Sequence, residues 1–271
     1  MKLTVLTNIL TPYRMPLFEA MAEQVDDFSV VLMAQQEENR QWEIEQAPFP
    51  VHVLPGLHLR PWGVDVSMHL NYGVGKLLRD LNPDVVVNAG FALANIAAFC
   101  YCRRHRKPFI HWAHLSLHDG AQTSFLRRRI RHWLIGQCAG AIGESSHAHD
   151  AFIHYGADKA RILVATMPLD VTGLHSQILS LRHTVEHLAF HARFTKPVLL
   201  SIGQIIPRKG YQELFAIYER LIMTHPQTSL LIVGDGPDRP RLEAMTRQRG
   251  WNQVHFVGFI QARDLPRDFA V

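Results

Sequence analysis

Arg208 and Lys209 stand side by side in "SIGQIIPRKGYQELF" (201–215), between a run that reads as a strand and a run that reads as a helix. A helix N-terminus already carries partial positive charge. Two further cations are favourable there only if an anion lies between them and the helix. Gly203 closes the strand and Gly210 opens the helix, so the backbone can approach a ligand closely. In an open α/β sheet, ligands bind at the carboxyl ends of the strands. The chemistry these residue types suggest is capture of a diphosphate by Arg208, Lys209 and helix N–H groups. A solvated basic loop is the plain alternative.

A second turn of this kind follows in "LLIVGDGPDRPRLEAM", where a strand runs into Gly234, Asp235 and Gly236 and then a helix. Strand, glycine turn and helix is the geometry that lets a nucleotide reach the backbone. The motif is neither G-x-G-x-x-G nor a P-loop, and a tight turn without a ligand explains it in isolation. Two such turns on consecutive strands of one sheet are harder to dismiss. "HWAHLSLHD" supplies His111, His114 and His118, with Cys100 and Cys102 nearby. Their spacings match no familiar zinc site. D-x-D is absent, so no metal is expected. His111 alternates away from His114 along its strand and is expected in packing.

Strand-like and helix-like runs alternate along most of the chain. "KLTVLTNI" leads into "PLFEAMAEQV", with Pro16 suited to the first turn of a helix. "FSVVLMA" (28–34) and "PDVVVNAG" (83–90) read as strands. "FALANIAAFCYCRRHR" reads as a helix, "KPFIHWAH" as a strand, "FLRRRIRHWLIGQC" as a helix and "GAIGES" as a short strand. "SSHAHDAFIHYG" is a helix stopped by Gly156, and "ARILVATMP" (160–168) closes this half. The polar, His-rich stretch 170–196 breaks the rhythm and is expected to link two domains. "PVLLSIG", "SLLIVGDG" and "VHFVGFI" are then three strands separated by helices. The fold class is α/β with mostly parallel sheets covered on both faces. Two Rossmann-like domains with a cleft between them are expected, 1–169 and 197–271, the second incomplete.

The chain has 271 residues, 47% hydrophobic and 19% charged, enough for sizeable cores. It contains no run of about twenty apolar residues and no recognisable secretion signal. Three cysteines, Cys100, Cys102 and Cys138, without C-x-x-C spacing suit a reduced, cytoplasmic setting. The net charge is +4, and the excess is local. Arg103, Arg104, Arg106, Lys107, Arg127, Arg128, Arg129 and Arg131 face one acid, Asp119, across residues 100–132. Such a patch favours an anionic partner. On "FLRRRIRHWLI" (125–135) the apolar stripe of Phe125, Leu126, Ile130, Trp133 and Leu134 is expected to pack on its own sheet. The arginines are left to attract an anionic membrane. Nucleic acid fits poorly, since no aromatic platform accompanies the charges.

The segment "VLLSIGQIIPRKGYQELFAIYERL…HPQTSLLIVGDGPDRPRLEAMTRQRGWNQVHFVGFI" resembles the nucleotide-sugar-binding half of family 4 (GT-B fold) glycosyltransferases. "TPYRMPLFEAM", "NPDVVVNAG", "KPFIHWAH" and "GADKARILVATMPLD" sit in the order that family shows. The resemblance implies that Lys209, with its following Gly210, binds a donor diphosphate, and that Gly234, Asp235 and Gly236 line a nucleotide pocket. Where the family usually has Arg after the first Gly, this chain has Gln204 after Gly203. Arg208 is the neighbouring candidate to substitute. "TNILTPYR" replaces a Gly-rich first loop, which gives Thr11, Tyr13 and Arg14 roles on the acceptor side. His114 falls roughly where relatives keep a sugar-contacting His. Family members carry a Glu-x7-Glu motif beyond the third strand of the second domain. The chain ends before it, so truncation is expected.

The resulting expectation is a hexosyltransferase-class enzyme that moves a sugar from a nucleotide diphosphate sugar to a carbohydrate or lipid-linked acceptor, with retention. Polysaccharide or lipopolysaccharide synthesis is the implied setting, with peripheral contact on the inner face of an anionic membrane. Alternatives are a non-catalytic carbohydrate- or membrane-binding remnant and a GT-B nucleotide-sugar epimerase.

Overall fold

In the first strand, β1 (Lys2–Thr7), neighbouring Val5 and Leu6 point to opposite faces and both are buried. Burial on both sides marks a parallel sheet covered by helices on two faces. The computed structural model describes residues 1–37, 40–44, 46–59, 67–118, 124–166 and 169–269. The chain divides into two compact units. Met1–Arg40 with Ile44–Leu169 form one, and Gln41–Glu43 with Asp170–Val271 form the other.

In the first unit β1 is followed by α1 (Met15–Glu23), β2 (Asp27–Leu32), β3 (Val51–Val53), β4 (Gly56–Leu59) and β5 (Met68–Asn71). Then come α2 (Val74–Leu81), β6 (Val85–Ala89), α3 (Leu93–His105), β7 (Phe109–Ala113), α4 (Phe125–Ile135), β8 (Gly140–Gly143), α5 (Ser146–His154) and β9 (Ile162–Val164). The last two positions of the strand expected over 160–168 lie outside the described residues. Seven strands make one parallel sheet in the order β3-β2-β1-β6-β7-β8-β9. The order reverses between β1 and β6, which creates a topological switch point where loops diverge at the carboxyl edge. β4 and β5 form a separate antiparallel hairpin. The sequence pattern over 35–82 had assigned no element there.

One face of the sheet packs Leu6, Val31, Val86 and Phe109 against α2, α3, α4 and α5 through Leu78, Phe99, Leu134 and Phe152. The other packs Val5, Val30, Leu32, Val87 and Trp112 with Phe18 of α1. Pro16 occupies the first turn of α1, as its fixed φ suits. The apolar stripe of α4 divides. Leu134 and Ile135 are buried, but Phe125 and Leu126 are each 67% exposed among the arginines. The expectation that the whole stripe packs inward therefore holds only at its C-terminal end.

His111 lies inside β7, fully buried as its place in the alternation implied. Its Nδ1 is 3.2 Å from Asn88 Nδ2. Burial, with nearby Arg131 adding to it, pushes its pKa down to about 3.

The second unit carries α6 (Val171–Leu181), α7 (Val185–His191), β10 (Val198–Ile202), α8 (Tyr211–Leu221), β11 (Ser229–Val233), α9 (Arg239–Gln248), β12 (Val254–Gly258) and α10 (Pro266–Phe269). The stretch 170–196, expected as a linker, contains two helices that belong to this unit. Its strands are parallel in the order β10-β11-β12. Leu230 and Ile232 face α8 and α9 through Phe215, Tyr218 and Leu242. Leu231 and Val233 pack on the opposite side with Phe194. Among the described residues no helix is long and apolar enough to cross a membrane.

The neutral His111 makes stability depend on pH with a definite sign. Unfolding lets the imidazole bind a proton near its ordinary pKa of about 6.5. Its contribution is therefore complete above that value and is lost as pH falls towards 3. At about 1.4 kcal/mol per pKa unit, a few kcal/mol are involved. We expect His111→Gln to flatten the stability profile between about pH 6 and about pH 4 by close to one proton. Urea unfolding across that range measures it, and an unchanged slope contradicts it.

Candidate functional site

At the carboxyl edge of the first unit, β8 ends at Gly143, where an added Cβ would lie 3.2 Å from Ala148 Cβ. The missing side chain lets α5 start close against the sheet. Ser145 caps that helix, its Oγ accepting the Ala148 N–H at 3.1 Å. Glu144 sits between strand and cap, beside the electropositive helix start that favours a carboxylate. Its side chain is 6% exposed.

Two residues expected at the site meet on Glu144. Arg14 Nη2 is 3.8 Å from Glu144 Oε1, and His114 Nδ1 is 3.6 Å from Glu144 Oε2. His114 is 70% exposed on its side-chain surface, whereas Arg14 is 13% exposed. Arg14 also donates from Nη1 to Thr7 Oγ1 at 3.2 Å and lies over the Trp112 ring at 5.0 Å. It is delivered by the turn Pro12–Arg14, whose start Thr11 fixes by accepting the Arg14 N–H at its carbonyl, 3.0 Å away. Thr11 itself is buried, and Tyr13 is half-buried in the same turn. Arg14, His114 and Glu144 thus come from the ends of β1, β7 and β8.

Glu144 escaped the sequence reading. An acid immediately after a buried strand in "GAIGES" was the available signal. Beside it, Thr7 Oγ1 donates to Asn8 Oδ1 at 3.3 Å, and Asn8 Nδ2 donates to Glu37 Oε1 at 3.1 Å. The next loop is held by Asn95, whose Nδ2 donates to Asn88 Oδ1 at 2.6 Å while its Oδ1 accepts the Ala92 N–H at 2.6 Å.

In the second unit, Arg208 and Lys209 form the short turn Pro207–Lys209 directly before α8. Both are exposed, and among the described residues neither has an ion-pair partner. Gly210 has φ of +71° and precedes the helix, a left-handed position that favours glycine. An added Cβ on Gly203 would meet nothing within 4 Å, so the strand end borders open space. Gln204 is half-buried and engaged.

The second glycine turn is shaped by its neighbour. A Cβ on Gly234 would stand 1.9 Å from Gly203 O, and one on Gly236 would stand 2.3 Å from Ile205 O. Backbone bonds tie the loops: Gly203 N–H to Val233 O at 2.9 Å, Ile205 N–H to Asp235 O at 2.9 Å, and Gly234 N–H to Gly258 O at 2.7 Å. Asp235 Oδ1 accepts the Gly236 N–H at 2.7 Å, and Oδ2 is 3.4 Å from Arg239 Nη1. Arg239 Nε in turn donates to Glu243 at 2.7 Å. These glycines and this aspartate are explained first by loop packing.

Two parallel α/β units on one chain, each gathering polar groups at its carboxyl ends, are the components of the GT-B class. Residues 10–166 match the family model for the glycosyl transferase 4-like domain, and residues 186–269 match that for glycosyl transferases group 1. The chain belongs to the glycosyl transferase 4-like family.

Solved structures share the fold. Anabaena HepE, in complex with UDP and glucose, superposes with a TM-score of 0.70 at 21% identity, covering 100% of this chain and 72% of that one. The UDP-GlcNAc 2-epimerase of Neisseria meningitidis, bound to UDP-GlcNAc, gives 0.60 at 15% identity, covering 100% and 75%. A putative UDP-N-acetylglucosamine 2-epimerase of Listeria monocytogenes gives 0.62 at 16%, covering 99% and 70%. No curated protein matches in sequence.

The loop contact makes Gly234 intolerant of a side chain. Its φ of +139° adds backbone strain to the clash. Gly234→Ala is expected to destabilise the second unit by at least about 2 kcal/mol. Chemical denaturation would show it, and an unchanged midpoint would remove this account of the turn.

Proposed function

We propose that this protein transfers a sugar from a nucleotide diphosphate sugar to a carbohydrate or lipid-linked acceptor, with retention of anomeric configuration. The observation that carries the reading is the exposed pair Arg208 and Lys209, without an ion-pair partner among the described residues, at the start of an eleven-residue helix whose first turn carries Glu213. A diphosphate would give both cations a partner. Its oxygens would accept from the two cations and from the first N–H groups of α8. Gly203 and Gly210 allow the close approach, and Gln204 adds a neutral contact. The backbone of Gly234, Asp235 and Gly236 borders the nucleotide side. The Asp235 carboxylate is turned to its own loop, so it is not a phosphate ligand.

Negative charge grows on the diphosphate as the bond to the sugar breaks. Fixed cations and a helix end stabilise that charge without reorganising, so the proposal assigns no cofactor and no metal. On the acceptor side, Arg14 is preset by Thr7 and Glu144, with Thr11 and Tyr13 in the turn that carries it. His114 is assigned the contact with the transferred sugar. HepE binding UDP-glucose supports a nucleotide sugar as the donor.

Lys209→Ala should reduce kcat/KM about 10²-fold or more while leaving the fold intact. Calorimetry with a panel of nucleotide diphosphate sugars should show the matching loss of donor affinity. Unchanged turnover would sink the assignment. The likeness to UDP-GlcNAc 2-epimerases gives a second reading, conversion of free nucleotide sugar. It requires epimerised product from UDP-GlcNAc without any acceptor.

Peripheral membrane contact from a cytoplasmic position is part of the proposal. Phe125 and Leu126 are exposed beside Arg127, Arg128 and Arg129 at the start of α4. Apolar anchors ringed by cations suit an anionic bilayer. The double variant Phe125→Ser, Leu126→Ser is expected to lower sedimentation with phosphatidylglycerol vesicles several-fold. Binding that is equal on zwitterionic vesicles would contradict the electrostatic part.

A further inference from the structure

The β4–β5 hairpin turns its polar face inward and its apolar face outward. Its register sets Leu57 opposite Leu70, His58 opposite His69, and Leu59 opposite Met68. Opposed residues share a face and successive residues alternate between faces. Four apolar side chains therefore make one face, and the two histidines lie on the other. The histidine face meets the body of the first unit. His69 is buried, with Nδ1 3.0 Å from His58 Nδ1 and Nε2 3.1 Å from Glu37 Oε1. Asn71, on the same face, donates from Nδ2 to Met33 O at 2.7 Å. On the other face Leu57, Leu59, Met68 and Leu70 are between 37% and 58% exposed. The alternation continues to Tyr72, which is 68% exposed and donates its N–H to Pro55 O at 3.1 Å.

In water a sheet with one solvated face packs its apolar side on the core and hydrates its polar side. Shifting the strands by one residue would restore that arrangement here. The bonds of His69 and Asn71 oppose the shift, so polar contacts hold the leucines outward. A second copy of the chain is a poor cover for them. The four apolar side chains and Tyr72 present a few hundred Å², below the about 800 Å² that each partner buries in a stable protein interface. A bilayer sets no such minimum. Neither strand, GLHL or MHLN, carries an acid, a lysine or an arginine, so the outer face has no charge to desolvate. Tyr72 stands at the base of the face, where a ring with a polar tip suits the headgroup level. The hairpin follows the carboxyl end of β3 and α4 follows that of β7. The apolar face and exposed Phe125 and Leu126 thus belong to connections leaving one edge of the same sheet.

We propose that the outer face of the β4–β5 hairpin docks on a lipid bilayer, with Leu57, Leu59, Met68 and Leu70 at the boundary between headgroups and acyl chains. This extends the membrane part of the reading above and does not depend on sugar transfer. Among the described residues each strand pairs only with the other. Their outer backbone groups must therefore stay hydrated. Side chains alone enter, to a depth of about 5–10 Å. The arginines of α4 attract anionic lipid, and salt weakens that attraction. Insertion of an uncharged face survives salt, so the two contacts can be told apart.

The full chain with vesicles of phosphatidylcholine and phosphatidylglycerol provides the test. Raising the salt should remove the electrostatic contribution and leave a salt-resistant remainder of cosedimentation. The cross-strand double variant Leu57→Ser, Leu70→Ser should lower that remainder about fivefold or more. A remainder equal to that of the unaltered protein, or no remainder at all, overturns the proposal. A second measurement places an environment-sensitive fluorophore on Leu59→Cys, with the exposed Cys100 changed to Ser. Its emission should shift to the blue when vesicles are added, and a shallow nitroxide lipid should quench it more than a deep one. The same label on Met223→Cys, an exposed position of the second unit, should not respond. No shift at position 59 overturns the proposal. A shift that instead grows with protein concentration without lipid, alongside a dimer that Leu57→Ser, Leu70→Ser dissociates, overturns it in favour of a second copy.

Discussion

The parallel pairing of β1 with β6 is the constraint on which the first unit depends. It places Leu3 to Leu6 against Val85 to Asn88 and divides the sheet into two arms. Chain connections leave the carboxyl edge in opposite directions from that seam, so the loops part there. Arg14 enters from one side of the seam, and His114 and Glu144 enter from the other. Buried Asn88 and His111 lie on the strands that flank the same edge. With the imidazole kept neutral by burial, the polar core beneath the site needs no counter-ion.

A buried carboxylate is costly unless charge and hydrogen bonds compensate it. Glu144 is compensated by Arg14, which thereby loses its freedom. An arginine held by a carboxylate, a threonine and an indole ring is preorganised, and the side-chain entropy of ordering it is already spent in folding. Glu37 meets an amide and an imidazole, those of Asn8 and His69. The two carboxylates of one sheet edge therefore have different chemical characters. Those characters follow from their neighbours and not from their residue type.

The second unit solves a different problem. Three glycine-containing strand ends lie so close that backbone touches backbone, and the bonds from Gly203, Ile205 and Gly234 sew them together. The neighbouring turn displays two exposed cations beside that contact. Asp235 and Arg239 contribute by closing their own loop. The exposed pair at α8 is thus displayed by a rigid edge.

Alternating apolar runs, Pro16 at a helix start and the cation pair before α8 were all legible because they are local. Periodicity decides the element, and the next few residues decide its cap. The strands read as "PDVVVNAG" and "KPFIHWAH" contain β6 and β7, and the packing role of His111 followed from alternation alone. The hairpin was missed because its strands are four residues each and its histidines face a partner eleven positions away. Glu144 was missed because nothing local ties it to Arg14, 130 residues earlier.

Sequence by itself therefore determined the α/β class, the family and the presence of two adjacent cations in a turn before a helix. Each depends on neighbours along the chain or on a motif of fixed spacing. Only tertiary structure decided which acids meet which bases. Strand order brings the ends of β1, β7 and β8 together, and cross-strand register aligns His58 with His69. It also decided that Gly234 and Gly236 serve the contact between two loops, since a clash at 1.9 Å belongs to a pair of segments that no single stretch of sequence contains.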